Sequence, residues 1–191
     1  MSGTVLGDDG QLRCPWGDAP TIYRAYHDTE WGREVRGEQA LFERISLEAF
    51  QSGLSWITIL RKRPAFRRAF AGFDLDDVAA FDVADVTRLM SDETIVRNRA
   101  KIRATISNAR AVRALDVDLS DLLWSFAPTE HVPAPAALSD VRTVTVESGA
   151  LARALKRRGF RFIGPTTAYA LMQATGMVDD HLADCHARRR R

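Results

Sequence analysis

Apolar residues recur along this chain at helical rather than alternating spacing. Over 38–52 they fall at Leu41, Phe42, Ile45 and Ala49, one stripe of an amphipathic helix. Gly53 interrupts the stripe. Ser55 is placed to cap a second helix reaching about Lys62, and Pro64 suits the first turn of a third that ends near Phe70. Asp74 and Asp85 flank two short helical pieces. The longest candidate covers 95–115, with Ile102, Ile106, Ala109 and Val112 on one side, and Ser120 reads as the N-cap of a helix over 121–126. Pro128, Pro133 and Pro135 exclude a regular helix over 127–137. Helices are then predicted over 147–158, closed by Gly159, from Pro165 to near Gly176, and over 178–187. The segment 141–146 alone has strand-like composition. The pattern predicts an all-α fold of many short helices.

Length and composition fit one soluble domain: 191 residues, 46% hydrophobic and 27% charged. No apolar run is long enough to span a membrane. The first ten residues lack the basic-then-apolar order of a secretory signal, so a cytoplasmic location is expected. Residues 1–12 read as a flexible lead-in carrying Asp8 and Asp9, 13–187 as a single domain, and 188–191 as a basic tail. A net charge of +2 does not announce nucleic-acid binding. Basic clusters at 61–68, 97–103, 156–161 and 188–191, set against acidic ones at 74–85 and 116–121, permit a basic face. Such runs also occur as plain solvated helix surface.

Cys14 and Cys185 are the two cysteines, near opposite ends. In a cytosolic chain this arrangement favours free thiols or metal ligands over a disulfide. His181 and Cys185 are four apart, which on a helix sets both on one face; Cys14 and His27 stand as C-x12-H. Together they compose a Cys2His2 set, a closed tetrahedral zinc shell that would tie the chain ends together and leave no open position for catalysis. The alternatives are a chance His–Cys spacing and buried core cysteines. Of the other histidines, His131 and His186, the latter adjoins Cys185 and competes for the ligand role.

Two further features carry chemistry. Residues 155–167 join two predicted helices through a tight apolar turn containing Gly164, resembling a helix-hairpin-helix over about 147–176. Backbone N–H groups at such a turn bind a DNA phosphate. Pro165 and Thr166 replace the usual second glycine, and Lys156, Arg157, Arg158 and Arg161 add local positive charge. The alternative is an ordinary helical corner. Glu48 lies near the apolar side of its predicted helix, where a carboxylate is costly unless paired. It reads either as a helix-edge acid reaching solvent or as a pocket acid. Aromatics crowd the same half of the chain: Trp16, Tyr23, Tyr26, Trp31, Phe42, Phe50 and Trp56. A flipped base needs flat partners and polar atoms at its edge, although aromatics at such spacing are more often core.

These stretches resemble the 3-methyladenine DNA glycosylase I family. The resemblance rests on Arg13-Cys14-Pro15-Trp16, on Tyr23-Arg24-Ala25-Tyr26-His27-Asp28-Thr29-Glu30-Trp31-Gly32, and on Leu47-Glu48-Ala49-Phe50-Gln51-Ser52-Gly53-Leu54-Ser55-Trp56. It continues through Asn98-Arg99-Ala100-Lys101-Ile102, Leu123-Trp124-Ser125-Phe126, 155–164 and Asp180-His181, so it spans nearly the whole chain. It implies a helix-hairpin-helix glycosylase fold with a structural zinc on Cys14, His27, His181 and Cys185. It implies that Glu48 recognises the modified adenine while Trp56 and Tyr26 hold its faces, with Trp16 and Tyr23 nearby. Gly164, Thr166 and Arg161 would meet the DNA backbone. Ala49 and Phe50 depart from the family's small or polar residues, and Phe50 would then reshape the pocket wall.

The implied activity is monofunctional excision of 3-methyladenine from double-stranded alkylated DNA, leaving an abasic site, by a monomeric, nucleoid-associated bacterial enzyme. The methylated base is a cation that departs as a neutral molecule, so binding supplies most of the catalysis. No lysine beside the second hairpin helix suggests a Schiff base. Asp179 or Asp180 lies at a plausible distance to assist, but Asp180 adjoins His181 and is read as orienting it. Competing classes are a non-catalytic DNA-binding module, separated by a base-release assay, and a small-molecule zinc hydrolase, which requires an open metal site. A purely structural helical protein leaves the ordered motifs unexplained.

Overall fold

In the helix Glu38–Gln51, the second of the chain, residues 45–50 are all buried, so the expected stripe widens into a segment enclosed on every side. This computed structural model describes residues 3–130 and 132–189; His131 and the last two arginines of the basic tail lie outside them. Among the described residues the helices are α1 (Thr21–Thr29), α2 (Glu38–Gln51), α3 (Trp56–Ala69), α4 (Leu75–Ala80), α5 (Val83–Ser91), α6 (Arg99–Arg113), α7 (Leu119–Trp124), α8 (Val146–Arg157) and α9 (Pro165–Ala174). The core surrounds α2. Phe50 packs at a tilt on Phe66 of α3, 4.6 Å between ring centroids, and Phe66, Phe70 and Phe73 continue the aromatic row.

Pro64 does not start a helix. It lies inside α3, which runs unbroken because Ile59 and Leu60 before it and Ala65, Phe66 and Ala69 after it bury one continuous face. Packing of that face outweighs the lost backbone bond. The caps also differ from the sequence reading. Asp74 accepts from the amides of Asp76 and Asp77 to open α4. Asp82, not Asp85, opens α5, and Asp85 reaches back to the Asp82 amide in a reciprocal box. Asp118 rather than Ser120 caps α7, and Asn98 starts α6 four residues later than expected. Asp82→Ala is expected to cost about 1 kcal/mol of stability, read as a shifted urea midpoint with an unchanged slope.

The strand-like segment 141–146 pairs with nothing; Thr145 instead caps α8. The 178–187 stretch is a series of turns, not a helix. Within the lead-in, β1 (Val5–Leu6) forms an antiparallel pair with β2 (Leu12–Arg13). The acids of the lead-in hold arginines, Asp9 bonding the buried Arg13 and Asp8 bonding Arg24. The two ends of the chain then meet. The His186 amide donates to the Leu12 carbonyl at 2.8 Å, and the Leu182 amide points to Cys14 Sγ at 3.4 Å.

Candidate functional site

α1 was not foreseen from the hydrophobic pattern, yet it carries half of the site. It follows Pro20, buries only Tyr26 and His27, and leaves its other side chains intermediate or exposed. Tyr26 faces α2 and α3, where it meets Glu48 and Trp56. These three, with Trp16, Tyr23, Trp31, Gln51, Gln173 and Asp180 among others, line a cavity of about 380 Å³. That volume falls within the range of small-ligand sites.

Glu48 is 5% exposed, and no hydrogen bond contributes to its ionisation. Burial pushes its carboxyl up to about 8, opposed by the positive charge of Arg44. Trp56 Nε1 is also buried without a partner. Two unpaired polar groups at one cavity wall are an incomplete hydrogen-bonding set, of the kind a polar guest completes. The Tyr26 and Trp56 rings lie 5.3 Å apart and 47° off parallel. That is the spacing of two rings already in contact, so no third ring fits between them. The two rings therefore form a single aromatic wall of the cavity and not the two facing plates of a clamp. Phe50, expected at the pocket wall, is fully buried in the core against Phe66 and Phe70.

Next to the cavity three of the four expected metal ligands come together, with the ring of His181 beside them. Cys14 Sγ, a His27 ring nitrogen and Cys185 Sγ all lie within 4.8 Å of one another. His27 Nε2 stands 3.5 Å from Cys185 Sγ, while its Nδ1 is 2.7 Å from Asp28 Oδ1. His181 joins through its ring, edge-on to His27 with centroids 4.8 Å apart. Its Nδ1 is held by Asp179 at 2.7 Å, and its Nε2 lies 3.3 Å from the His27 carbonyl oxygen. Each histidine thus has a carboxylate on Nδ1, the arrangement that frees Nε2 for a metal. Burial works to raise the Asp28 carboxyl, but hydrogen bonds from Arg13, His27 and His186 outweigh it and hold it well below the usual range. The hydrogen bond between the two thiols raises Cys14 and lowers Cys185. A β-carbon at Gly17 would strike the His27 ring, and one at Gly32 would meet His181. His186 bonds Asp28 from outside and is a supporting residue.

The aspartates divide differently from the expectation. Asp179, not Asp180, orients His181. Asp180 lines the cavity, accepting from Tyr169 Oη at 2.7 Å and Gln173 Nε2 at 2.8 Å on the same oxygen. Trp16, expected near the pocket, and Trp31, singled out only as an aromatic, tie the two sites together. Trp16 packs edge-on to His27 and Trp31 edge-on to His181, and both rings line the cavity.

The hairpin between α8 and α9 presents Arg161, Gly164 and Thr166 on the exposed surface. Gly164 stands at the N-cap of α9, Pro165 takes its first position, and Phe162 has a positive φ of 60° in the turn. A groove lined by Arg153, Lys156, Arg161 and Phe162 runs beside it. Asn108, a buried residue the sequence gave no reason to single out, fixes the turn by bonding both the amide and the carbonyl of Arg161. Much of the 61–68 basic cluster is engaged internally, Arg63 with Glu30 and Arg67 with Glu43.

Residues 16–189 match the methyladenine glycosylase family. A Haemophilus influenzae protein, DNA-3-methyladenine glycosylase, is 46% identical over 179 residues, 91% of this chain and 96% of its own. A crystal structure of 3-methyladenine DNA glycosylase I superposes with a TM-score of 0.89 at 44% identity, covering 93% of this chain and all (100%) of that one. A tyrosine-to-phenylalanine variant of a 3-methyladenine DNA glycosylase I, solved in complex with 3-methyladenine, gives a TM-score of 0.86 at 33% identity over 93% of this chain and 98% of its own.

Proposed function

The chain belongs to the methyladenine glycosylase family, and on that premise we propose that it hydrolyses the N-glycosidic bond of 3-methyladenine in alkylated DNA, with Glu48 as the group that recognises the base. The observation that carries the reading is the buried, unpartnered carboxyl of Glu48 beside the Tyr26–Trp56 wall of a base-sized cavity.

A base inside a duplex cannot reach this cavity, so the nucleotide turns out of the stack, with the hairpin holding the backbone. Gly164, Thr166 and Arg161 meet phosphate there, and Lys156 and Arg153 supply charge along the groove. The everted base stacks on the Tyr26–Trp56 wall, and its positive charge faces Glu48. A cation stabilises the ionised carboxylate, so the proton that burial retains on Glu48 is displaced as the base enters. Cation–π attraction to the rings adds about 0.5–2 kcal/mol. A neutral adenine gains neither. The methylated base leaves uncharged, and water attacks the sugar carbon. No lysine is among the residues lining the cavity, which supports base release without a Schiff base or strand cleavage.

Cys14, His27, His181 and Cys185 suit a structural zinc. Two thiols and two imidazoles, each imidazole oriented by a carboxylate, are the donor chemistry of a closed site. All four are at most 5% exposed, which leaves no room for an open catalytic position. When bound, the ion neutralises two thiolates and clamps both chain ends. The enzyme acts as a monomer, and no helix among the described residues is long and apolar enough to cross a membrane.

The test is chromatography of bases released from methylated duplex DNA. Release of 3-methyladenine, with 7-methylguanine left in place and the strand uncut, is the expected result. Equal release of both bases would contradict recognition by a shaped, charge-selective cavity.

A further inference from the structure

Behind α2 lies a cluster of charges that the excision scheme leaves unused. Arg44 precedes Glu48 by four residues on α2, so the two side chains share a helix face. Arg44 Nη2 donates to Glu30 Oε2 at 2.8 Å. Arg63 of α3 donates to both oxygens of the same carboxylate, at 2.6 and 2.7 Å. One acid is therefore shared by two guanidinium groups. Burial works to raise Glu30, but hydrogen bonds from Arg63 and Arg44 outweigh it and hold its carboxyl down at about 2. Arg44 Nη1 is buried and has no hydrogen-bond partner. The charges of Glu30, Arg44, Arg63 and Glu48 sum to zero only when Glu48 is ionised.

We propose that Arg44 is a positioning residue for base release: it offsets the cost of ionising the buried Glu48, so that the carboxyl can give up its proton when the cationic base enters. The proposal rests on the role of Glu48 argued above and adds the group that eases its ionisation.

The other groups around Glu48 do not supply this balance. From α1, burial raises the phenols of Tyr26 and Tyr23 above their ordinary value, so both stay neutral. Asp180, on the segment after α9, is itself an acid and is tied to Tyr169 and Gln173. Lys101 of α6 donates its ammonium to the carbonyls of Phe50 and Ser52 at the far end of α2. Arg63 is bidentate to Glu30. Arg44 alone among these cations has a buried donor left over and acts directly on Glu48.

The experiment follows the Glu48 side-chain carboxyl by NMR in the metal-replete full chain, alongside release of 3-methyladenine from methylated DNA, between pH 6 and 9. Arg44→Met is expected to move the Glu48 midpoint and the rising limb of excision upward together, by about one pH unit. Release then falls roughly tenfold at the acid end and recovers at the alkaline end. Arg44→Lys keeps the charge and restores the original profile. Glu30→Gln removes the competing anion and moves both curves downward, which preserves the test if Arg44→Met does not fold. A Glu48 midpoint unmoved in these variants overturns the proposal, as does an equal loss of release at every pH, which is the mark of a merely structural arginine. A midpoint that moves while excision ignores it places the failure in the role given to Glu48's charge, and the proposal falls with that reading.

Discussion

Cys185→Ser is expected to abolish binding of the proposed zinc, to lower stability by several kcal/mol, on the order of 5, and to reduce base release at least tenfold. Cys185 lies against both His27 and Cys14, so its loss opens the donor set from the C-terminal side. The helical core around α2 needs none of these residues, so the damage concentrates in the joined ends. Excision suffers because Trp16 and Trp31 pack on the two ligand histidines and also wall the cavity. Elemental analysis, thermal unfolding with and without a chelator, and limited proteolysis of the first 30 or so residues measure the three effects. Undiminished metal content in the variant, or a melting curve indifferent to chelation in the parent, removes zinc from these residues.

Glu48→Gln is expected to slow 3-methyladenine release about 100-fold while leaving metal content and helicity intact. Loss of a hydrogen-bonded charge pair accounts for about 3 kcal/mol. The same variant carries a stability signature of opposite sense. The folded protein holds the Glu48 proton up to about pH 8, against 4.5 for an ordinary glutamate, so the folded state binds the proton more tightly than the unfolded state. Stability from this group is therefore complete below the ordinary glutamate range. It is lost as pH rises towards 8, at about 1.4 kcal/mol per pH unit. Glutamine does not ionise. The variant should melt higher than the parent at pH 8 and close to it at pH 4. A parent advantage at pH 8 would mean that Glu48 is paired rather than stranded, and its place in recognition would have to be given up.

The parts of the fold legible in the sequence are those where a helix buries one stripe and ends on a recognisable residue. α2, α8 and α9 follow Leu41, Phe42 and Ile45, the stop at Gly159 and the start at Pro165. The misreadings share a cause: tertiary packing overrode local preference. Pro64 is carried through α3 by the buried face on either side of it. The β-branched run 141–146 has no strand to pair with. α1 buries only two side chains, and its other residues show no stripe, because its packing partners are the cavity and the ligand cluster rather than the core.

The site divides the same way. The motifs around Cys14, Tyr26, Glu48, Trp56 and His181 mark residues that do come together, although they lie far apart in the chain. What spacing could not supply is orientation. His181 and Cys185 lie in a series of turns, not along a helix face, and Asp179 rather than Asp180 steers the histidine. Tyr26 and Trp56 touch each other instead of facing across a gap. Asn108 and Arg44 act through partners 53 and 14 residues away, on carbonyl, amide and carboxylate groups that no local pattern announces.

The meeting of the chain ends bears on how the enzyme is made. Trp16, Tyr23, Tyr26 and Trp31 leave the ribosome well before Asp179, His181 and Cys185, which hold that segment in place. Translation proceeds at about 5–20 residues per second, slow beside helix formation, so the core around α2 settles while the earliest wall of the pocket still waits for its anchor. A nascent chain stalled short of Asp179 is a helical body whose first aromatic wall is not yet held.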